Sequence, residues 1–273
     1  MRSIAKLMKD WQFTGPNGVT TAVELPHTWN ARDGQDGGND YWRGCCTYCT
    51  CFAAPVYDPT QQQVWLQFEG INASAAVLLN GQQLCTHDGG YSTFRAEVTE
   101  LLQAENQLTV RVDNSVNDRV YPQKADFTFY GGIYRDVSLL VVNKNHIALG
   151  HFGDTGVKIT PALQENSADI RVETLVEGSG TVTVELLDTE GRTVAKGEGE
   201  NASLHLDAPH LWNGVKDPYL YTCVVRLLQD GQPVDEVTTR VGLRSFSVDA
   251  MCAACPSSCS PSAPARRKAR RPA

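Results

Sequence analysis

The sequence predicts an all-β chain. A jelly-roll β-sandwich is expected over residues 1–145, an immunoglobulin-like β-sandwich over 146–248, and a disordered tail over 249–273. Three observations carry this reading. Short runs rich in branched and aromatic residues recur between Gly, Asn and Asp. Helical periodicity is almost absent. The texture of the chain changes twice, near Asn145 and after Val248.

A chain of 273 residues suffices for one large domain or two of ordinary size. Apolar residues make up 41% and charged residues 20%, as in globular proteins. The net charge of -7 argues against a nucleic-acid partner, because a phosphate backbone calls for a basic face. No apolar run approaches the ~20 residues that span a bilayer, so no membrane partner is expected. The opening "MRSIAKLMKDWQF" lacks the apolar core and cleavage site of a signal peptide. Cytoplasmic residence is the resulting expectation, with the nine cysteines mostly reduced. Their odd number also argues against a complete disulfide framework.

In the first segment, "VWLQFEG" from Val64, "AAVLLNGQQL" from Ala75, "LTVRVDN" from Leu108 and "RDVSLLVV" from Arg135 read as strands. Asn80-Gly81 is a hairpin signal, since both residues tolerate positive backbone angles. One short helical stretch is expected around Glu97 to Leu102. The run "CCTYCTCF", Cys45 to Phe52, crowds four cysteines into seven positions. Its period-two texture predicts a strand with Cys46, Tyr48 and Thr50 on one face and Thr47, Cys49 and Cys51 on the other. Free Cys behaves as a small apolar residue, so a buried strand face is expected for the thiols. Cys46 and Cys49 have a C-x-x-C spacing, but a strand splays them apart, and no second ligand pair lies nearby. No metal site is predicted.

The loop before this strand carries Asp33, Asp36, Asn39, Asp40, Tyr41 and Trp42. Acids and amides bind hydroxyls, and aromatic faces cover the apolar side of a pyranose. Asn39 and Asp40, next to the aromatics, are the predicted sugar contacts. Asx-turns in a Gly-rich loop are the competing explanation. A calcium loop is disfavoured, because the spacing lacks the pattern and final Glu of an EF-hand. His27, His87 and His151 stand near these motifs, but no Ser/His/Asp or Cys/His arrangement is legible, and hydrogen-bonded structural histidines are the commoner case.

From about Asn145, apolar and polar residues alternate with turns at short intervals, "DTEG" and "QDGQ" being the plainest. This is the rhythm of an immunoglobulin-like sandwich of about 100 residues. Trp212 and Tyr219 to Tyr221 read as its core and edge. The tail "DAMCAACPSSCSPSAPARRKARRPA" has almost no large apolar residue and cannot build a core. Its three cysteines and basic cluster suggest ligand or anion binding on spacing alone. A shifted reading frame in GC-rich DNA explains the Ala/Pro/Arg bias more simply and leaves the tail without function.

Several strings carry a resemblance: "LPHTWNARDGQDGGNDYWRG" (Leu25 to Gly44), "FEGINASAAVLLNGQQLCTHDGGYSTF" (Phe68 to Phe94), "DFTFYGGIYRDVSLL" (Asp126 to Leu140), "PHLWNGVKDPYLYTCVVRL" (Pro209 to Leu227) and "VGLRSF" (Val241 to Phe246). In this order, from Trp11 to Val248, they resemble the non-catalytic N-terminal part of glycoside hydrolase family 2, the β-galactosidase and β-glucuronidase group. In that family the jelly roll and the sandwich precede a (β/α)8 barrel. The barrel carries the two glutamates of a retaining mechanism, with carboxyls ~5–5.5 Å apart. Such a barrel takes about 250 residues, and the Asn-Glu pair of the family's acid/base occurs nowhere in this sequence.

The resemblance therefore implies sugar-framing domains of a retaining β-glycosidase, of β-galactosidase type, without catalytic residues of their own. The implied partners are a carbohydrate and a catalytic barrel domain or subunit, with oligomeric state open. A stand-alone carbohydrate-binding module and a fragment complementing a separate barrel are the alternatives. The resemblance also implies a role for Asp126. The family's aspartate at this point of the motif lies beside the barrel mouth and holds the terminal sugar. A carboxylate accepts hydrogen bonds from sugar hydroxyls more strongly than a neutral group. In some members it also helps bind sodium, the one cofactor the resemblance raises. An acidic loop cap beside plain turn glycines is the competing explanation for Asp126. The segment "GHFGDTGVKITP" (Gly150 to Pro161) is shorter than the family's inter-domain segment, so an altered junction is expected.

Overall fold

The computed structural model describes residues 1–32, 41–121 and 128–246. The expected sugar contacts Asn39, Asp40 and Asp126, the sodium expectation attached to Asp126, and the tail lie outside the described residues.

The first strands are β1 (Ser3–Lys6), β2 (Trp11–Thr14), β3 (Thr20–Val23), β4 (His27–Thr28), β5 (Cys45–Ala53), β6 (Gln62–Phe68) and β7 (Ile71–Asn72). They continue with β8 (Ser74–Leu79), β9 (Gln82–Asp88), β10 (Phe94–Glu97), β11 (Glu105–Asp113), β12 (Gly132–Ile133), β13 (Val137–Asn143) and β14 (His146–Ile147). A four-stranded sheet has the order β1-β13-β6-β10, and a six-stranded sheet the order β3-β2-β5-β11-β8-β9. Non-consecutive neighbours in both sheets are the signature of jelly-roll connections. Trp11, Tyr48, Val77, Leu108 and Val110 of the six-stranded sheet and Val64, Leu66, Phe68 and Val137 of the four-stranded sheet share one buried core. Strand β13 is buried on both faces, because its outward Leu140 and Val142 pack with Leu149 and Trp65. A small third sheet, β4-β12-β7, joins segments far apart in sequence.

The immunoglobulin-like sandwich follows: β15 (Val157–Leu163), β16 (Ser167–Thr174), β18 (Thr181–Leu187), β19 (Thr193–Glu198), β20 (Asn201–Asp207), β21 (Tyr221–Gln229) and β22 (Gln232–Val241), while β17 (Val176–Glu177) pairs with β14 outside it. Its sheets have the orders β15-β16-β20 and β19-β18-β21-β22. Alternation sends Ala168, Ile170 and Val172 of β16 and Val182, Val184 and Leu186 of β18 inward. The chain divides into two compact units. The larger is Met1–Lys158 with Thr174–Thr183 and Val225–Val237; the smaller has, among the described residues, Ile159–Glu173, Val184–Val224 and 238–246.

The turn chemistry matches the residues. Asn80 and Gly81 take φ of 52° and 82°, and Asp230 and Gly231 take 49° and 77°. Both central residues are therefore left-handed, as type I′ hairpins require. In "DTEG", the Asp188 carboxylate accepts the backbone N–H of Glu190 and of Arg192, each at 2.9 Å. The helical stretch around Glu97 is a single 3₁₀ turn, Thr99–Leu101. Among the described residues no helix is long and apolar enough to cross a membrane.

Strand β5 alternates as its sequence predicts, with Cys46, Tyr48, Thr50 and Phe52 buried. The buried location expected for the thiols holds only for Cys46; Cys49 is half-buried, and Cys45 and Cys51 are exposed. The large side chains of Tyr48 and Phe52 set the phase of the strand, and alternation then turns the odd-numbered thiols outward. Within the larger unit, Arg2 makes a two-pronged ion pair with fully buried Asp235, at 2.7 and 2.5 Å. That carboxylate also accepts the N–H of Ile147 at 2.8 Å.

Candidate functional site

The site is built around three buried asparagines. Asn30 and Asn114 are fully buried and Asn72 nearly so. Buried amides must find partners, and these do so across long sequence separations. Asn30 Nδ2 donates to the Trp42 carbonyl at 2.8 Å, tying together the described ends of the opening loop. Its Oδ1 accepts Gly131 N–H at 2.7 Å and Asn114 Nδ2 at 3.2 Å. Asn114 Nδ2 also donates to the Phe129 carbonyl at 2.9 Å, and its Oδ1 accepts Gly44 N–H at 2.8 Å. Asn72 Nδ2 donates to the Tyr130 carbonyl at 2.7 Å. Three consecutive residues, Phe129 to Gly131, are thus each held by one asparagine.

Two glycines permit this clamp. A Cβ on Gly131 would lie 2.0 Å from the Trp29 ring, so the indole rests directly on the glycine backbone. Gly132 adopts φ +139°, and a Cβ there would meet the His27 carbonyl at 2.4 Å. These glycines are required by close packing, which goes beyond the turn role weighed for them in the sequence. Thr28 Oγ1 and Trp29 N–H both donate to the Gly131 carbonyl, at 2.7 and 3.3 Å.

Arg43 crosses from one segment to the other. Its Nε donates to the Asn114 carbonyl at 3.0 Å, and its guanidinium lies over the rings of Phe129 and Tyr41, 4.8 and 5.6 Å from their centroids. A cavity of about 20 Å³ lies here, lined by Arg43, Asn72, Tyr91, Tyr121 and Phe129 among others. That is room for a water and not for a sugar. Tyr91 and Tyr121 of its lining are exposed, as are Tyr130 and Trp42, the sequence neighbours of lining residues Phe129 and Arg43. Among the described residues, no group of three His, Cys, Asp or Glu could hold a metal ion.

Asn39 and Asp40 immediately precede described Tyr41, and Asp126 precedes Thr128 by two residues. The structure therefore brings together the described ends of the two segments that carry the predicted contacts. Of the histidines singled out in the sequence, His27 Nδ1 bonds the Tyr48 hydroxyl at 2.7 Å. His87 Nε2 meets the Gly89 carbonyl and Ser92 Oγ, both at 3.1 Å. His151 is exposed and packs on Phe152. Sequence reasoning missed the asparagine triad. Each Asn reads locally as a turn or strand-end residue, and its partners lie 12 to 101 positions away.

Two family models match this chain: glycosyl hydrolase 2 galactose-binding domain-like over residues 38–163, and glycosyl hydrolases family 2 over 151–244. A β-glucuronidase of Bacteroides fragilis is 34% identical over 265 residues, which cover 89% of this chain and 38% of that protein. A β-galactosidase of Bacteroides ovatus is 30% identical, over 88% of this chain and 31% of its own length. An FMN-binding β-glucuronidase from Facaelibacterium prausnitzii superposes with a TM-score of 0.85 at 36% identity, covering 91% of this chain and 40% of that one. The chain thus spans well under half the length of the relatives it matches.

Proposed function

The chain belongs to glycosyl hydrolase family 2, and from that premise we propose that it supplies the sugar-framing, non-catalytic part of a retaining β-glycosidase acting on terminal β-glycosides. The observation that carries this reading is the asparagine clamp. It fixes the described ends of the opening loop and of the segment before Phe129 to one another. Asp126, Asn39 and Asp40 are the proposed contacts to the terminal sugar, with Asp126 accepting hydrogen bonds from two hydroxyls. The exposed aromatics Tyr91, Tyr121, Tyr130 and Trp42 form the proposed docking face for a catalytic barrel.

The two carboxylates of the retaining reaction belong, in this proposal, to that barrel. A sodium ion beside Asp126 is part of the same proposal, and no step is assigned to it. The substrate is a terminal β-galactoside or β-glucuronide, the two classes for which the relatives are named. Incubating the 273-residue chain with p-nitrophenyl β-galactoside and β-glucuronide tests the division of labour. No turnover is expected from the chain alone. Turnover that survives repurification and falls with Asp126→Asn would show that the chain holds its own catalytic groups and would overturn the reading.

A further inference from the structure

We infer that Cys49 and Cys51 form a dithiol site on the outer face of the six-stranded sheet, which takes a soft monovalent metal ion of the Cu(I) class between its two sulfurs. Spacing in the sequence pairs Cys46 with Cys49, but the strand groups them differently. Cys46 turns into the core, whereas Cys45, Thr47, Cys49 and Cys51 line the face away from it. The ladder to β11 runs in register from Cys45 to Ala53, so no bulge interrupts the alternation. Cys49 is half-buried and Cys51 exposed, and both are free thiols.

The separation of the two residues selects the chemistry. Positions two apart on a strand stand ~6.6 Å from each other, with their Cβ atoms side by side. A disulfide needs Cβ atoms ~3.5–4.5 Å apart, so the strand holds the pair open as thiols. A metal ion between two thiolates asks instead for sulfurs about 4.6 Å apart, twice a bond of ~2.3 Å. The common strand rotamers lean along the chain, in opposite directions. One choice at Cys49 and the other at Cys51 turns the sulfurs toward each other and reaches that separation. Cys45 is ~13 Å along the strand from Cys49 and out of reach.

The donor set then names the ion. Zinc asks for four ligands, and among the described residues no group of three His, Cys, Asp or Glu could hold an ion. Two thiolates suit a soft ion content with two ligands, and thiolate selects Cu(I). Thr109 stands opposite Cys49, and its hydroxyl donates to the sulfur across 3.8 Å. It is an outer partner of the kind that orients a metal ligand. Arg111, diagonal to Cys49, and Glu105, diagonal to Cys51, offset one another on this face. Binding exchanges both thiol protons, which pass to solvent, for one ion, and consumes no oxidant or reductant.

The site lies on the face of β5 opposite Tyr48 and shares no residue with the proposed sugar contacts. The test adds one equivalent of Cu(I), as its acetonitrile complex under argon, to the full chain. That chain carries Cys252→Ser, Cys255→Ser and Cys259→Ser, so that the tail thiols do not compete. Maleimide labelling and mass mapping follow. The expected result is protection of Cys49 and Cys51, with Cys45 labelled as before. Cys49→Ser and Cys51→Ser should each weaken retention of the ion against bicinchoninate by more than the ~10–100-fold that loss of an outer partner costs; Cys45→Ser should leave it unchanged. Absence of protection, equal protection of Cys45, or retention indifferent to Cys51→Ser would overturn the inference. Equal protection by one equivalent of Zn(II) would overturn the assignment to a soft monovalent ion. Should Cys49→Ser unfold the chain, exposed Cys51→Ser and the protection map decide.

Discussion

Asn114→Ala is the substitution that most directly probes the clamp. It removes the side-chain hydrogen bonds to Gly44 N–H, Asn30 Oδ1 and the Phe129 carbonyl. Each is worth about 1 kcal/mol net, and a buried group left unpaired costs about 1–3 kcal/mol. Gly44 N–H and the Phe129 carbonyl both lose this partner, whereas Asn30 Oδ1 retains Gly131 N–H. The expected loss is therefore about 3–5 kcal/mol, a large part of the ~5–15 kcal/mol that holds a domain folded. At about 2–4 °C per kcal/mol, the melting temperature of the unit should fall by roughly 6–20 °C. Scanning calorimetry reads this shift, and hydrogen exchange at the Gly44 and Gly131 amides reads the local release. In a double-mutant cycle with Asn30→Ala, the two losses should fall short of additivity, because the residues share a bond. A melting shift within ~2 °C, with Gly131 still protected, would show that the asparagines do not hold these segments; exposed Gln107→Ala should stay within about 0.5 kcal/mol and serves as the control.

Further outcomes follow from the same structure. Arg2→Ala leaves the fully buried Asp235 carboxylate without its cation and should cost about 3–5 kcal/mol in urea denaturation; a loss below 1 kcal/mol would place the pair among dispensable surface contacts. Among the described cysteines, maleimide labelling of the folded chain should modify exposed Cys45 and Cys51 first. Cys46, whose thiol burial pushes up to about 12, and Cys223 should react only on unfolding; mass mapping of the labelled sites checks this order. Burial lowers His27 below its ordinary 6.5 in the folded state, so the unfolded chain binds more protons. Its contribution to stability is therefore present above pH 6.5 and is lost as pH falls through 6.5 toward the folded value. Denaturation midpoints of His27→Gln should fall less on acidification than those of the unmodified chain; equal falls would remove His27 from the account.

What the sequence revealed depended on the range of the interactions involved. Strand β5 was legible because alternation is local: Tyr48 and Phe52 announce the buried face. The Asn80-Gly81 and Asp230-Gly231 turns were legible because each is set by two adjacent residues. The exposure of Cys45 and Cys51 was misread, since residue type was given more weight than strand phase. The asparagine clamp was not legible at all, because an amide that will bond a carbonyl many positions away looks locally like a turn former. The glycine pair at 131 and 132 was visible as residues, but its cause, the Trp29 ring and the His27 carbonyl, lies about a hundred positions earlier in the chain. Nothing near Arg2 in the sequence signals a carboxylate 233 residues away.

The central claim is that these domains frame the sugar for a barrel that performs the chemistry. Its most direct test joins residues 1–248 to the remainder of the Bacteroides fragilis β-glucuronidase, replacing that enzyme's matching N-terminal part. kcat/KM is then measured with and without Asp126→Asn. The account predicts measurable hydrolysis by the chimera and a loss of at least about a hundredfold in kcat/KM for Asp126→Asn, about 2.7 kcal/mol of transition-state stabilisation, with an unchanged melting temperature. A folded, active chimera indifferent to Asp126→Asn would contradict it.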